Sequence, residues 1–276
     1  MELSSLSESV YRVCGSSTIP AVGLGTFRLS GQTGCEAIKF ALKCGYRLLD
    51  TAHIYGTEGI VGRAVRECIA DGTLSSRQDV FITSKLFGTF HQPSLIIGAI
   101  KHQVKILGLD YIDLYLIHTP WGYRNGNDSQ SDYRINAATD QIGDIIFDDY
   151  SHVEMWQEME KAVDIGLVKH IGLSNFDENQ VDRILTNCRI RPYNNQVEIH
   201  PFLAQDALID HHKRHAISIT AFMPLGRINW TRDETGTNLF DNKTIRAIAR
   251  KYCVTPAQIL LRYQLERGVT VIPKRV

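Results

Sequence analysis

Short apolar segments with strand character alternate with amphipathic helical segments from about residue 20 to the end of this 276-residue sequence. Such alternation indicates successive βα units, in which parallel strands form one sheet and helices cover it. The strand-like segments number eight and span residues 19–26, 46–51, 79–86, 111–119, 167–174, 193–200, 217–226 and 269–274. Eight strands with helices between them fit a closed (β/α)8 barrel better than an open doubly wound sheet. The sequence therefore predicts an α/β protein with a TIM-barrel fold.

The segments between these strands have helical periodicity. In residues 33–45, the apolar residues Ala37, Ile38, Ala41 and Leu42 recur at helical spacing. The same design predicts helices over residues 58–72, 93–108, 151–166, 177–188, 205–215, 241–253 and 255–268. Residues 11–20 are predicted to form an N-terminal β-hairpin that turns at Gly15 and Ser16 and closes the bottom of the barrel.

Composition and charge exclude several classes of partner. Thirty basic residues balance thirty acidic ones, which argues against nucleic acid and anionic membranes. The densest basic cluster, residues 211–215, is predicted to be the solvated last turn of a helix. The N-terminus lacks a signal-peptide pattern, and no apolar run approaches the roughly 18 residues of a membrane span. We therefore expect a cytoplasmic protein that acts on a small molecule. A monomer is also expected, although composition does not determine the oligomeric state.

The cysteines and histidines show no metal-binding pattern. The six cysteines are scattered without a C-x-x-C motif, so reduced thiols are expected. His53, His152 and His200 are interpreted as structural residues, and the sequence predicts no metal site.

Two connections are long for a compact barrel. Residues 120–150 and 226–240 follow the fourth and seventh predicted strands, on the side where barrel active sites are built. A disordered insertion is the alternative interpretation. The aromatic residues of the first connection favour ordered, substrate-facing walls, formed by Trp121, Tyr123, Tyr133 and Phe147.

Polar side chains cluster at the carboxyl ends of the predicted strands, which all open into one barrel mouth. They are Asp50, Tyr55, Lys85, His118, Ser174, Asn175, Gln196 and Lys274. Taken singly, each is more often a solvated ion or a packing residue. Their convergence on one mouth is the stronger observation, and it predicts an active site.

The residue types at this mouth suit proton donation to an oxygen. Lys85 can pair with Asp50 and approach Tyr55, and a nearby ammonium is expected to lower the pKa of the phenol. Tyr55 would then act as a general acid, while His118 donates a hydrogen bond to a carbonyl.

Three short polar side chains suit amide recognition. Ser174 and Asn175 precede a helix whose predicted N-cap is Asp177, so ordinary turn chemistry is the alternative interpretation. Gln196 would supply a further amide partner, and the ring of Phe222 could stack on a flat heteroaromatic ring.

Seven segments in this order resemble the aldo-keto reductases. They are residues 22–27, 45–65, 80–86, 107–118, 166–176, 194–202 and 272–274, and they extend over essentially the whole chain. The resemblance implies a barrel enzyme that reduces aldehydes and ketones with NADPH and without metal. It implies Tyr55 as proton donor, Asp50 and Lys85 as the residues that tune it, and His118 as the residue that orients the carbonyl.

The resemblance also implies a set of cofactor contacts. Ser174, Asn175 and Gln196 match the positions that hold the nicotinamide carboxamide, and Phe222 stands where the family usually has a tyrosine that stacks on the nicotinamide. Leu225 is a further expected cofactor contact. Lys274 matches the lysine that pairs with the adenosine 2′-phosphate. Arg275 follows it, where a small residue is common, and its guanidinium could clamp the phosphate or crowd it.

Several positions depart from the family pattern. Thr119, Phe27 and Phe87 stand where tryptophan is common, so a reshaped substrate pocket is expected. The eighth strand is the last predicted element, so residues 1–276 are expected to form a single barrel domain that is C-terminally incomplete, without the final helix and C-terminal loop. The alternative to a carbonyl reductase is a nucleotide-binding regulatory barrel, or an inactive fragment without turnover.

Overall fold

A computed structural model of the protein describes residues 10–13, 17–129, 132–227 and 231–274. In chain order, the strands are β1 (Val10–Val13), β2 (Ser17–Pro20), β3 (Leu24–Gly25), β4 (Leu48–Asp50), β5 (Phe81–Leu86), β6 (Ile112–Ile117), β7 (Gly122–Tyr123), β8 (Phe147–Asp148), β9 (Val168–Ser174), β10 (Asn194–Glu198), β11 (Ser218–Phe222) and β12 (Thr270–Val271). The α-helices are α1 (Gly31–Lys43), α2 (Glu58–Ala70), α3 (Pro93–Leu107), α4 (His152–Asp164), α5 (Glu178–Asn187), α6 (Asp206–Arg214), α7 (Lys243–Lys251) and α8 (Pro256–Glu266).

Eight of the strands form a parallel sheet that curls into a barrel. Their order is β3, β4, β5, β6, β9, β10, β11 and β12. A parallel bridge between Val22 and Val271 joins the two edges of the sheet. The amide of Gly23 donates to the carbonyl oxygen of Val271 at 2.8 Å, and the amide of Gly25 donates to that of Pro273 at 3.2 Å. The predicted α/β barrel is therefore confirmed.

The first predicted strand is divided in the structure. Ile19 and Pro20 belong to β2, which pairs antiparallel with β1, and only Leu24 and Gly25 form a barrel strand. The prediction of one strand over residues 19–26 was wrong because this apolar run forms two short strands with different partners. The first pairs with β1 in the hairpin, and the second pairs with β4 in the barrel. The hairpin itself lies where expected, although Gly15 and Ser16 fall outside the described residues.

The interior of the barrel is filled by its own cluster of apolar side chains. Ile19 of the hairpin is buried there, with Leu48, Leu114, Leu116, Tyr193 and Ile272. A larger cluster fills the space between the sheet and the helices that cover it. The hairpin therefore contributes a side chain to the barrel interior.

The helices lie within a few residues of their predicted bounds, and local sequence explains their ends. Asp177 caps α5 as predicted, because its carboxylate accepts from the amide of Gln180, whose side chain accepts from the amide of Asp177. α3 begins at Pro93 and ends before Gly108, which has the left-handed φ of 61° that glycine favours.

The first long connection is ordered by short antiparallel pairings. β7 pairs with β8, and bridges join Asn125 to Ala137 and Thr139 to Ile145. Tyr133 packs on Phe90 and His102, against helix α3, so the prediction that it forms a substrate-facing wall was wrong. Its phenol fits there because Gly98 of α3 has no side chain to block it.

Residues 211–215 differ from the prediction of a solvated turn. They do end α6, but His211 and His212 are buried. The ring of His212 bonds the carbonyl of Leu208 at 2.7 Å and lies 3.0 Å from the amide nitrogen of Asn195. These histidines therefore pack against the barrel instead of facing water. Among the helices of the described ranges, none is both long and apolar enough to cross a membrane.

Candidate active site

The turn after β4 places Tyr55 over the end of that strand. Asp50 ends β4, and His53–Tyr55 form one turn of 3-10 helix. Gly56 then adopts the left-handed φ of 62°, which allows the chain to enter α2 at Glu58. The phenol is thereby folded back towards Asp50, as the sequence predicts.

Lys85 of the neighbouring strand joins the carboxylate to the phenol. Its Nζ atom donates to Oδ1 of Asp50 at 2.6 Å, to the carbonyl of Thr51 at 3.0 Å and to Oη of Tyr55 at 3.4 Å. Lys85 and Asp50 are both buried. The ammonium and carboxylate form a desolvated ion pair directly beneath Tyr55, a geometry in which their interaction is strong.

The pKa of Tyr55 does not follow the prediction. Burial raises it above its ordinary value, and the Lys85 ammonium opposes that rise without cancelling it. The prediction of a lowered pKa considered the ammonium alone and omitted desolvation. Burial would by itself lower the pKa of Lys85, but the Asp50 carboxylate prevails and the pKa is raised. The phenol and the ammonium are therefore both protonated at neutral pH.

His118 follows β6 and faces the same phenol. Its ring meets that of Tyr55 edge to face, with centroids 5.8 Å apart. Burial, with smaller contributions from Lys85 and His91, lowers the pKa of His118 to about 3, so the imidazole is neutral. Its Nδ1 atom is buried and has no hydrogen-bond partner among the described residues.

The three predicted amide-binding residues form one connected network. Oγ of Ser174 donates to the carbonyl of Gln196 at 2.8 Å. Nδ2 of Asn175 donates to the carbonyl of His118 at 2.8 Å, and Nε2 of Gln196 donates to Oδ2 of Asp50 at 2.7 Å. Asn175 adopts a left-handed φ of 65°, which asparagine tolerates better than most residues. The network connects the amide residues to the ion pair.

The free atoms of this network fit a nicotinamide carboxamide. The nitrogen atoms of Asn175 and Gln196 donate to His118 and Asp50, while within the described ranges no group donates to Oδ1 of Asn175 or to Oε1 of Gln196. Two acceptor oxygens at the mouth suit the NH2 of a carboxamide. Phe222, at the end of β11, is half-buried and packs with the barrel-interior cluster, so an apolar ring also lies at this end.

Of the other predicted cofactor residues, Leu225 and Lys274 are not part of this hydrogen-bond network within the described ranges. The side chain of Leu225 packs with Leu239 and Leu260, in a cluster outside the barrel interior, so it is not among the amide residues. Lys274 follows β12, and burial together with Arg28 lowers its pKa. Arg275 lies outside the described residues.

Sequence reasoning missed several residues around the site. Arg28 lies close enough to Lys274 to affect its pKa, and only the closure of the barrel brings the two together. Oγ1 of Thr57 is 2.7 Å from that of Thr51, beneath the Tyr55 turn. Glu58 is buried beside Ser84 and Lys85, although its place at the start of a helix is typical of a solvated acid. The sequence carries no signal for this burial.

Comparison with known proteins decides the family. The model of the aldo/keto reductase family matches residues 21–275. The chain belongs to the aldo-keto reductase family. It is therefore an oxidoreductase of a family that acts on small carbonyl compounds, and NADPH is the family's usual cofactor.

Individual aldo-keto reductases are similar over most of the chain. Human aldo-keto reductase family 1 member A1 is 39% identical over 260 residues, covering 94% of this chain and 78% of that protein. Bovine prostaglandin F synthase 1 is 39% identical over 264 residues, covering 93% and 79%. The structure of the aldose reductase from Schistosoma japonicum has a TM-score of 0.84 and 40% identity, covering 94% of this chain and 80% of that one.

Proposed function

We propose that this aldo-keto reductase uses NADPH to reduce aldehydes and ketones to alcohols, with Tyr55 as the proton donor. The observation that carries the proposal is the position of Lys85, which contacts Asp50 at 2.6 Å and Tyr55 at 3.4 Å. An ammonium within hydrogen-bond reach of a phenol is an arrangement that suits general-acid catalysis. The same geometry favours a catalyst over a nucleotide-binding regulatory barrel.

The side chains then have separate roles. NADPH, when bound, would supply the hydride that reduces the carbonyl carbon. Neutral His118 donates from Nε2 to the carbonyl oxygen and orients it. Tyr55 donates its proton to the oxygen as negative charge develops there, and the Lys85 ammonium stabilises the phenolate that remains. Asp50 holds Lys85 in place and keeps it charged.

Two groups of residues would hold the cofactor. Ser174, Asn175 and Gln196 would bind the carboxamide, with Phe222 against the nicotinamide ring. Lys274 and Arg28 would provide positive charge for the 2′-phosphate, which supports a preference for NADPH over NADH. Leu225 and Arg275 stay predicted contacts.

Aromatic side chains around the phenol support an aldehyde-reductase type of specificity. The ring of Phe27 lies 5.0 Å from that of Tyr55, and the ring of Phe87 lies 6.5 Å from that of His118. Trp121 is exposed and 47% accessible. Such walls suit aldehydes with an apolar or aromatic substituent.

The test is NADPH oxidation with an aromatic aldehyde. Tyr55→Phe should lose at least 100-fold in kcat because the proton donor is removed. Tyr252→Phe is the control, since it removes the hydroxyl of an exposed tyrosine on the outside of the barrel. A separate NADPH fluorescence titration should show binding in all three proteins. Binding without turnover in the parent protein would instead support the regulatory barrel, and equal turnover in Tyr55→Phe would exclude the proposed role of Tyr55.

We further propose that residues 1–276 form one barrel domain that acts as a cytoplasmic monomer. The family match over residues 21–275 supports the single domain. The described cysteines Cys35, Cys44, Cys68, Cys188 and Cys253 are free thiols, which supports a reducing compartment. Light scattering coupled to gel filtration tests the monomer.

A further inference from the structure

A second group of ionisable side chains lies outside the barrel, between α5 and α6. Nε2 of His211 is 2.8 Å from Oδ1 of Asp182, and Nε2 of His215 is 3.9 Å from the same oxygen. One ligand atom from each residue lies within 4.8 Å of the others. Across the described ranges, this is the one group of three such side chains with that spacing.

The local structure explains why these side chains converge. His211 and His215 are four positions apart, so they lie on the same helix face, and their rings are 4.7 Å apart. Asp182 faces them from the adjacent helix α5. The end of α6 leads into the beginning of β11, whereas Tyr55 lies at the carboxyl ends of the strands. The group is therefore at the opposite end of the barrel from the candidate active site.

We propose that Asp182, His211 and His215 bind Zn²⁺ through one carboxylate oxygen and two Nε2 atoms. Bonds of about 2.0–2.2 Å in a tetrahedral site place the ligand atoms roughly 3.4 Å apart. The observed distances of 2.8 and 3.9 Å lie on either side of that value. The side chain of Asp182 is 54% exposed and that of His215 is 38% exposed, so water can take the fourth position.

A simple hydrogen bond between Asp182 and His211 explains less of the geometry. It accounts for the 2.8 Å contact but not for the third side chain, because Nε2 of His215 lies 3.9 Å from the same oxygen, which is too far for a hydrogen bond. Binding of a metal ion would lengthen the first distance by about 0.6 Å and shorten the second by about 0.5 Å, which small side-chain rotations can supply.

The surroundings indicate moderate affinity. The second ring nitrogen of His211, Nδ1, is buried without a hydrogen-bond partner among the described residues, so it lacks the outer-shell acceptor that strengthens many zinc sites. Lys213 and Arg214 add positive charge to the same turn. We therefore expect micromolar binding, weaker than in a closed structural zinc site.

The test is a titration of the 276-residue chain with Co²⁺, followed by visible absorption, and with Zn²⁺, followed by calorimetry. Cys253 is an exposed thiol and Cys14 lies outside the described residues, so both are first replaced by serine. We expect one equivalent to bind, with the intense absorption of a tetrahedral Co²⁺ site. Asp182→Asn and His215→Gln replace the two exposed ligands, and each should weaken binding at least 10-fold.

The control is His102→Gln, which removes a half-buried imidazole from α3 and should leave binding unchanged. Zn²⁺ should also raise the thermal midpoint of the parent protein, but not that of Asp182→Asn, because the metal joins two helices. Circular dichroism confirms that each variant is folded. The absence of saturable binding below 1 mM, or binding that survives both ligand replacements, would overturn the proposal.

Discussion

Gln196 donates a side-chain N–H to Oδ2 of Asp50 at 2.7 Å and thereby joins the sixth strand of the barrel to the second. The other carboxylate oxygen, Oδ1, accepts from Lys85. The residue predicted to bind the carboxamide therefore also fixes the carboxylate that positions the ammonium. In the proposed mechanism, cofactor binding and proton donation would therefore depend on the same buried acid, Asp50.

Replacing Gln196 should affect both functions. Gln196→Leu leaves Oδ2 of buried Asp50 without a donor, so the free energy of unfolding should fall by about 1–3 kcal/mol. The dissociation constant for NADPH should rise, since an acceptor for the carboxamide is lost. Urea unfolding and NADPH fluorescence measure the two effects. Gln32→Leu, on an exposed face of α1, is the control. Similar losses of stability and of NADPH affinity in both variants would contradict the proposed role of Gln196.

Removing Lys85 should reduce stability and activity by separable mechanisms. Lys85→Met leaves the Asp50 carboxylate buried without its cation, which costs about 3–5 kcal/mol of unfolding free energy. The double variant Asp50→Asn/Lys85→Met removes both charges and should regain much of that stability. Its turnover should stay lost, because no ammonium stabilises the phenolate. Recovery of turnover with stability would show that the pair is purely structural.

Buried His91 should make the protein sensitive to acid. Burial, with a smaller effect of His152, lowers the pKa of His91 from 6.5 to about 3. The unfolded imidazole binds a proton below pH 6.5 while the folded one stays neutral, so stability falls as pH falls through this range. At pH 5 the loss should be about 2 kcal/mol. In His91→Asn, the difference in unfolding free energy between pH 8 and pH 5 should shrink by that amount, and an unchanged difference would contradict the prediction.

Glu58 should have the opposite effect on the pH dependence of stability. Burial raises the pKa of its carboxyl from 4.5 to about 7, and Oε1 is buried without a partner among the described residues. The folded state therefore holds the proton more tightly, and stability falls as pH rises from 4.5 to 7. Glu58→Gln should gain up to about 3 kcal/mol at pH 8 and nothing at pH 4.5. Urea unfolding measures this, with exposed Glu234→Gln as a control that should show no such gain.

Two glycines of α2 should respond in opposite ways to alanine. A Cβ atom on Gly62 would lie 1.7 Å from the carbonyl oxygen of Leu107, at the close contact between α2 and α3. Gly62→Ala must separate the helices and should cost several kcal/mol, on the order of 3. Gly59 of the same helix meets nothing closer than 3.9 Å, so Gly59→Ala should add about 0.5–1 kcal/mol. Thermal unfolding distinguishes them, and equal effects would contradict the packing argument.

The barrel could be predicted from the sequence because its signals are local. Apolar periodicity marks each strand and helix, and Asp177 and Gly108 mark helix ends. Strand boundaries could not be predicted where one apolar run forms two strands with different partners, as at Ile19 and Leu24. Which residues of this run pair with β1 and which with β4 depends on tertiary contacts, and apolar periodicity does not specify the partner.

The meeting of Asp50, Tyr55, Lys85 and His118 at one mouth could also be predicted, since barrel topology brings strand ends together. The contact between Gln196 and Asp50 could not, because it depends on side-chain reach across the barrel. The raised pKa of Tyr55 depends on burial, which the sequence does not quantify. Asp182 and His211 lie on different helices, and their alignment is set by how those helices pack.

The bridge between Val22 and Val271 also has a consequence for synthesis of the protein on the ribosome. The strands beside β3 can pair one after another as they emerge, but β3 cannot meet β12 until residues 270–273 have left the exit tunnel. Until then the nascent sheet keeps two open edges, which are sites for misassociation with other chains. Emergence of β12 is therefore the step that removes both open edges of the sheet at once.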